Sequence, residues 1–151
     1  MPIPRHHTRS VVGPRERVLV DSGVWIALVR ASDQRHEDAD QMLRDAIRGG
    51  VQLVTTNLII AEVHRFILFN VGIQPAALLL DRIGESARLT TEFVTAAHHV
   101  AARRWLAKLS DQVITYTDAV SFAVMAAARC TAVMSFDHDF VTAGFRLWQP
   151  G

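Results

Sequence analysis

Short apolar runs rich in β-branched residues recur along the chain, each followed by a segment of helical period, and this alternation restricts the fold more than any other feature. Val18-Leu19-Val20 is the first run; polar residues bound it and Asp21 closes it, so it reads as a buried strand ending in a carboxylate. Residues 51–55 read as a second strand, 88–90 as a short third, 131–136 as a buried strand ending at Asp137, and 145–148 as a terminal edge strand. Helices are predicted over 24–31, 34–48, 58–70, 75–83, 92–109 and 117–129. Gly49-Gly50 stops the second of these, Thr56-Asn57 caps the third, and Pro75 suits the first turn of the fourth. Strands alternating with helices imply βαβ units, right-handed crossovers and a parallel sheet. The expected fold is therefore α/β, with one doubly wound, mostly parallel sheet flanked by helices.

A chain of 151 residues, half of them hydrophobic, suits one domain with a sizeable core. Residues 1–17 stand apart, because Arg5, His6, His7, Arg9, Arg15 and Arg17 mix there with Pro4, Pro14 and Gly13 and almost no apolar periodicity. They read as a basic, disordered tail ahead of a domain over 18–151, with a phosphate-touching arm as the alternative. Cys130 is the single cysteine, which excludes an intrachain disulfide or a multi-cysteine zinc site and fits a reducing compartment. No signal-type apolar segment opens the sequence and no run has the length of a membrane span, so the expected location is the cytoplasm. Net charge is only +1, and overall charge does not announce nucleic-acid binding. Fifteen of the sixteen basic residues are arginine, a bias that suits phosphate recognition and that genomic base composition explains equally well.

The chemistry shows as acids in apolar surroundings. Glu62 lies within Leu58-Ile59-Ile60-Ala61-Glu62-Val63-His64, and Asp118 within Tyr116-Thr117-Asp118-Ala119-Val120-Ser121-Phe122. A buried carboxylate that lacks its partner costs about 3–5 kcal/mol, so such acids need a cation, a proton or strong donors. With Asp21 and Asp137 at strand ends, four acids could converge at the carboxyl edge of the sheet, where α/β folds bind ligands. The bland alternative pairs Glu62 with Arg65 and Asp118 with Arg129 on solvated helix faces. Four oxygen donors around one point favour a hard divalent cation, Mg²⁺ or Mn²⁺, over zinc, and such a centre suits phosphodiester hydrolysis.

Four blocks then carry a resemblance. Val20-Asp21-Ser22-Gly23-Val24-Trp25, Asn57-Leu58-Ile59-Ile60-Ala61-Glu62-Val63-His64, Tyr116-Thr117-Asp118-Ala119-Val120-Ser121-Phe122-Ala123 and Ser135-Phe136-Asp137-His138-Asp139-Phe140 stand in the order and spacing of a PIN-domain ribonuclease. Within that family the chain most resembles the VapC toxins of bacterial toxin–antitoxin pairs, over residues 18 to about 148. The resemblance implies a Mg²⁺-dependent endoribonuclease, usually dimeric, held inactive by a VapB-type antitoxin and leaving a 5′-phosphate and a 3′-hydroxyl. It assigns Asp21, Glu62, Asp118 and Asp137 to the acidic quartet that holds metal and activates water. Ser22 and Thr117 match the hydroxyl residues beside the first and third acids, where they would bond a carboxylate or a metal-bound water. Two alternatives stay open at this point: a PIN nuclease outside toxin–antitoxin systems, and a degenerate PIN module that binds RNA without cutting it.

Other residues read more plainly. Asp139 is a secondary candidate, with a surface-loop acid as the better reading, and His138 beside it is expected to be exposed. His64 is two residues from Glu62 and so on another helical face. Trp25, Phe66, Phe69, Trp105, Phe122 and Trp148 are expected in the core or a dimer interface, and Arg65, Arg103 and Arg104 on solvated faces or against RNA phosphate. A receiver domain would need paired acids after the first strand and a strand-end lysine, whereas the single lysine, Lys108, falls in a helical stretch. A haloacid-dehalogenase phosphatase would need Asp-x-Asp on the first strand, which Asp21-Ser22-Gly23 does not supply.

Overall fold

The computed structural model describes residues 15–151. Its elements run in the order β1 (Arg17–Val20), α1 (Ser22–Val29), α2 (His36–Arg48), β2 (Gln52–Thr56), α3 (Asn57–Asn70), α4 (Ile73–Glu85), β3 (Leu89–Glu92), α5 (Ala96–Lys108), α6 (Tyr116–Ala128), β4 (Ala132–Met134) and α7 (Asp139–Thr142). The four strands form one parallel sheet in the order β3-β2-β1-β4, with Val18 paired to Leu53 on one side and to Ala132 on the other. β1 is thus interior, which is why it is apolar on both faces.

The pleat divides the core in two. Leu19, Val54 and Val133 point to the face covered by α3, α4, α5 and α6, where they join Ile59, Val63, Leu79, Ala102 and Phe122. Their neighbours Val18, Val20, Leu53, Ala132 and Met134 point to the other face and meet Val24, Ala27, Ala39, Ala46 and Trp148. Alternate side chains of a strand face opposite ways, so a doubly wound sheet needs apolar residues at consecutive positions, as found here. Among the described residues no helix is long and apolar enough to cross a membrane.

Helix starts follow local chemistry. Thr56 Oγ1 accepts from the Ile59 N–H at 3.1 Å, Thr115 Oγ1 from the Asp118 N–H at 3.1 Å, and Thr95 forms a capping box with His98. Gly50 follows α2 at φ +67°, a conformation glycine adopts without steric cost. Two boundaries depart from the sequence reading for long-range reasons. The helix expected from residue 92 starts at Ala96, because Glu92 is paired with Thr56 in the sheet and Asn57 Oδ1 accepts from the Val94 N–H at 2.9 Å. The edge strand expected over 145–148 shrinks to a single parallel bridge between Val133 and Leu147. β4 is only three residues long and offers one outward-facing pairing position, so the ladder cannot extend.

The expected tail over 1–17 falls mostly on residues 1–14, which lie outside the described residues. Its last residue is in the sheet, however: Arg17 belongs to β1, Glu16 accepts through its carbonyl from the Gln52 N–H at 2.8 Å, and Arg17 Nη2 pairs with Glu92 at 3.3 Å.

Candidate metal centre

Asp21 sits where β1 leaves the sheet, its relative exposure only 6%. One carboxylate oxygen accepts from the Ser22 N–H at 2.8 Å and so caps α1; the other accepts from the Ser135 hydroxyl at 2.8 Å. Ser135 Oγ in turn accepts from the Asp137 N–H at 3.0 Å, and Asp137 Oδ1 accepts from the Asp139 N–H at 3.0 Å. A relay of hydrogen bonds therefore ties the end of β1 to the turn after β4, fixing Asp21 and Asp137 in register.

Asp118 reaches the same place from the first turn of α6. Asp118, Asp137 and Asp139 each present a carboxylate oxygen, and these oxygens all lie within 4.8 Å of one another. Two unit charges at such a distance repel by about 3 kcal/mol at an effective dielectric constant of 20. Asp118 registers this: burial first, then the charges of Asp21, Asp137 and Asp139 and a hydrogen bond with Asp139, push its pKa up to about 7. Burial also raises the pKa of Asp21, with Asp137 and Asp139 adding to it, while its two hydrogen-bond donors pull the other way.

Glu62 stands apart. It projects from α3 at the surface, yet partial shielding of its carboxyl and the nearby charge of Asp21 raise its pKa. Neither Asp21 nor Glu62 belongs to the close trio. Asp139, which the sequence suggests as a surface acid, completes that trio instead, because the short helix α7 turns it back toward Asp118.

Ser22 bonds Asp21 through its backbone N–H, and the Thr115 hydroxyl accepts from the Asp118 backbone N–H. Thr115 carried a readable signal, since Thr115-Tyr116-Thr117-Asp118 has the spacing of a capping box. Ser135 had none beyond its place at a strand end. His138 is exposed, as expected, and Phe69 is 71% exposed with Arg65 stacked on it at 5.1 Å, so of the two places expected for it, core or dimer interface, it is not in the core.

A cluster of raised acids makes stability depend on pH. The folded chain holds a proton on Asp118 up to about pH 7, whereas an unfolded aspartate releases it near its ordinary value of 3.8. The folded state thus binds more protons in that window, and its stability falls as pH rises through it. With chelator present, wild type is expected to lose more thermal stability between pH 5 and pH 8 than Asp118→Asn. Equal slopes in thermal melts would show that Asp118 does not share a site with the other acids.

An apolar groove of about 540 Å³ opens elsewhere, between α1, α2 and α4, lined by Trp25, Leu28, Leu43, Leu79 and Ile83 and by the charged residues Arg82, Arg88 and Asp40.

Comparison with known proteins supplies the context for this geometry. The family model described as PIN domain matches residues 18–146. The chain is 32% identical over 128 residues to the 23S rRNA-specific endonuclease VapC20 of Mycobacterium tuberculosis, covering 85% of this chain and 95% of that protein. It is 35% identical over 126 residues to Ribonuclease VapC13 of the same organism, covering 82% and 92%. The crystal structure of M. tuberculosis VapC20, described as a sarcin–ricin-loop-cleaving toxin, superposes with a TM-score of 0.77 at 28% identity over 88% of this chain and 99% of that one. FitAcB from Neisseria gonorrhoeae shares the fold, with a TM-score of 0.62 at 18% identity over 88% and 97% of the two chains.

Proposed function

Because the chain belongs to the PIN-domain family, among the VapC ribonucleases, we propose that it cuts RNA at the carboxylate cluster with Mg²⁺, or Mn²⁺ in its place, as the toxin of a VapBC pair. The observation that carries this reading is the trio of Asp118, Asp137 and Asp139 oxygens within 4.8 Å. Such a donor set is all oxygen, anionic and mutually repelling, which fits a hard divalent cation and fits zinc poorly. When bound, that cation would polarise a phosphoryl oxygen and acidify a water for in-line attack.

The protein's own residues supply position. Asp118, Asp137 and Asp139 would hold the ion. Asp21, fixed by Ser135 and by the Ser22 N–H, would place a buried negative charge beside them and bind the ion directly or through water. Glu62, close enough to Asp21 to feel its charge, would orient the attacking water. The products would carry a 5′-phosphate and a 3′-hydroxyl. A loop of large-subunit ribosomal RNA is the first substrate to test, because that is the substrate class named for the relative VapC20.

Residues 18–151 would form the catalytic domain, working as a homodimer. The apolar groove between α1, α2 and α4, lined by two arginines, Arg82 and Arg88, against one acid, Asp40, would receive an amphipathic segment of a VapB-type antitoxin carrying acidic residues. A small DNA-binding protein encoded in the adjacent upstream frame would support the toxin assignment; its absence would favour a PIN nuclease outside such systems.

Metal removal tests the chemistry. Protein stripped with EDTA is expected to leave a labelled ribosomal RNA fragment intact, and excess Mg²⁺ is expected to restore cleavage. Undiminished cutting in EDTA would overturn the proposed centre.

A further inference from the structure

Phe136 immediately precedes Asp137, and its ring carries a cation. The Arg35 guanidinium carbon lies 4.6 Å from the Phe136 ring centroid, closer than the stacked pairs Arg30–Phe66 at 5.7 Å and Arg65–Phe69 at 5.1 Å. Arg35 stands just before α2 on well-anchored backbone. Its N–H donates to Asp33 Oδ1 at 2.8 Å, its carbonyl accepts from the Ala39 N–H at 2.9 Å, and the adjacent His36 Nδ1 lies 2.7 Å from the Ala27 carbonyl, tying the start of α2 to α1. The base of the side chain is thus fixed and its tip is held by an aromatic face.

What the guanidinium lacks is a partner in its own plane. Among the described residues the ion pairs are Arg17–Glu92, Arg44–Asp40, Arg48–Asp45 and Arg146–Glu16, and Arg35 is in none of them. Glu37 and Asp38 follow it in the first turn of α2 and are exposed, without a contact to the guanidinium. Stacking occupies the flat face of a guanidinium and leaves its five N–H donors free along the edge. Arginine with a free edge forms the bidentate fork that suits phosphate.

The surroundings say which phosphate. A cleft of about 410 Å³ is lined by Asp21, Ser22, Gly23, Phe136, Asp137 and His138, so the ring on which Arg35 stacks belongs to the wall of a recess that two of the acids also line. Gly23 presents no side chain there and has open space around it. A polyanion approaching this recess meets negative potential, and a fixed cation at its rim offsets that repulsion without neutralising the acids themselves. We propose that Arg35, stacked on Phe136, binds a backbone phosphate of single-stranded RNA next to the one being cut. This rests on the nuclease reading above and adds to it the binding of the neighbouring phosphate.

The test separates the two. Binding of a fluorophore-labelled single-stranded RNA is followed by anisotropy in EDTA from 20 to 300 mM KCl, for wild type, Arg35→Met, Arg35→Lys and Phe136→Leu. Arg35→Met is expected to weaken binding about three- to tenfold, the range for one exposed charge-assisted contact. It is also expected to flatten the slope of log affinity against log salt by about 0.7, the value for one single-strand phosphate. Arg35→Lys should keep the slope while losing part of the affinity, since it retains the charge and loses the planar fork. Phe136→Leu should weaken binding in the same direction with Arg35 intact. In Mg²⁺, the same Arg35→Met variant should raise KM for cleavage and leave kcat within about twofold, because its expected role is in uniform binding. Wild-type affinity or a wild-type salt slope for Arg35→Met would overturn the assignment, as would failure of wild type to bind RNA at 20 mM KCl. Wild type that binds RNA with the expected slopes yet never cleaves it would instead sink the nuclease reading and leave the phosphate contact standing.

Discussion

Asp118→Asn is expected to cut RNA at least roughly a hundredfold more slowly than wild type while remaining folded, the scale of loss when one fixed electrostatic stabiliser is removed from a transition state. Three features lead to this expectation. Burial first, and then the charges of Asp21, Asp137 and Asp139, drive the Asp118 pKa up to about 7, so its ionised form is costly without a counter-charge and gains from a bound cation. Asparagine keeps the shape but withdraws the charge, leaving two acids where three converge. The helix start survives, because Thr115 bonds the backbone N–H of residue 118 and not its side chain. The metal-free variant should therefore melt at a higher temperature than metal-free wild type above pH 7, and Mg²⁺ should raise its melting temperature less. Loss of activity together with loss of fold would instead assign Asp118 a structural role, and near-normal cleavage would remove it from the site.

Phe122→Ala is expected to destabilise the protein by about 3–5 kcal/mol, the range for deleting a buried phenyl ring. For a domain of this size that lowers the melting temperature by roughly 6–20 °C. Phe122 has no exposed surface and stands at the centre of an aromatic cluster, with ring centroids 5.4 Å from Trp105, 5.1 Å from Phe140 and 5.5 Å from Phe145. Those contacts join α6, which carries Asp118, to α5 and to the segment around α7, which carries Asp139. The ring lies one helical turn beyond Asp118 and touches the residue after Asp139, so it holds two ligands of the proposed centre at their spacing. Below its melting temperature the variant is accordingly expected to need more Mg²⁺ for half-maximal cleavage. A loss of stability under about 1 kcal/mol by denaturant unfolding would show that the cluster repacks around the gap.

Much of this could be read along the chain. The strands were visible because a sheet buried on both faces demands consecutive apolar residues, as at Val18-Leu19-Val20. The start of α3 was visible where Thr56-Asn57 stands ready to cap, and the stop of α2 where Gly49-Gly50 interrupts the period. Asp21 directly follows β1, as the same pattern implies, whereas the strand expected over 131–136 ends at Met134 and leaves Asp137 in the turn beyond it. What failed were features that depend on a distant partner: the start of α5, set by pairing of Glu92 with β2, and the terminal strand, limited by a three-residue β4.

The sequence by itself determined the alternation of strand and helix, the parallel sheet and the acids eligible for a metal, because these rest on period, capping and residue chemistry within a few positions. Tertiary structure alone decided which oxygens come within 4.8 Å, admitting Asp139 from α7 and leaving Glu62 at the margin. It also decided that Ser135, unmarked in the sequence, fixes Asp21. The reason is physical: repulsion between carboxylates and the hydrogen bonds that restrain them depend on distances in space, and residues 21, 118 and 139 acquire those distances only when the sheet and α6 have packed together.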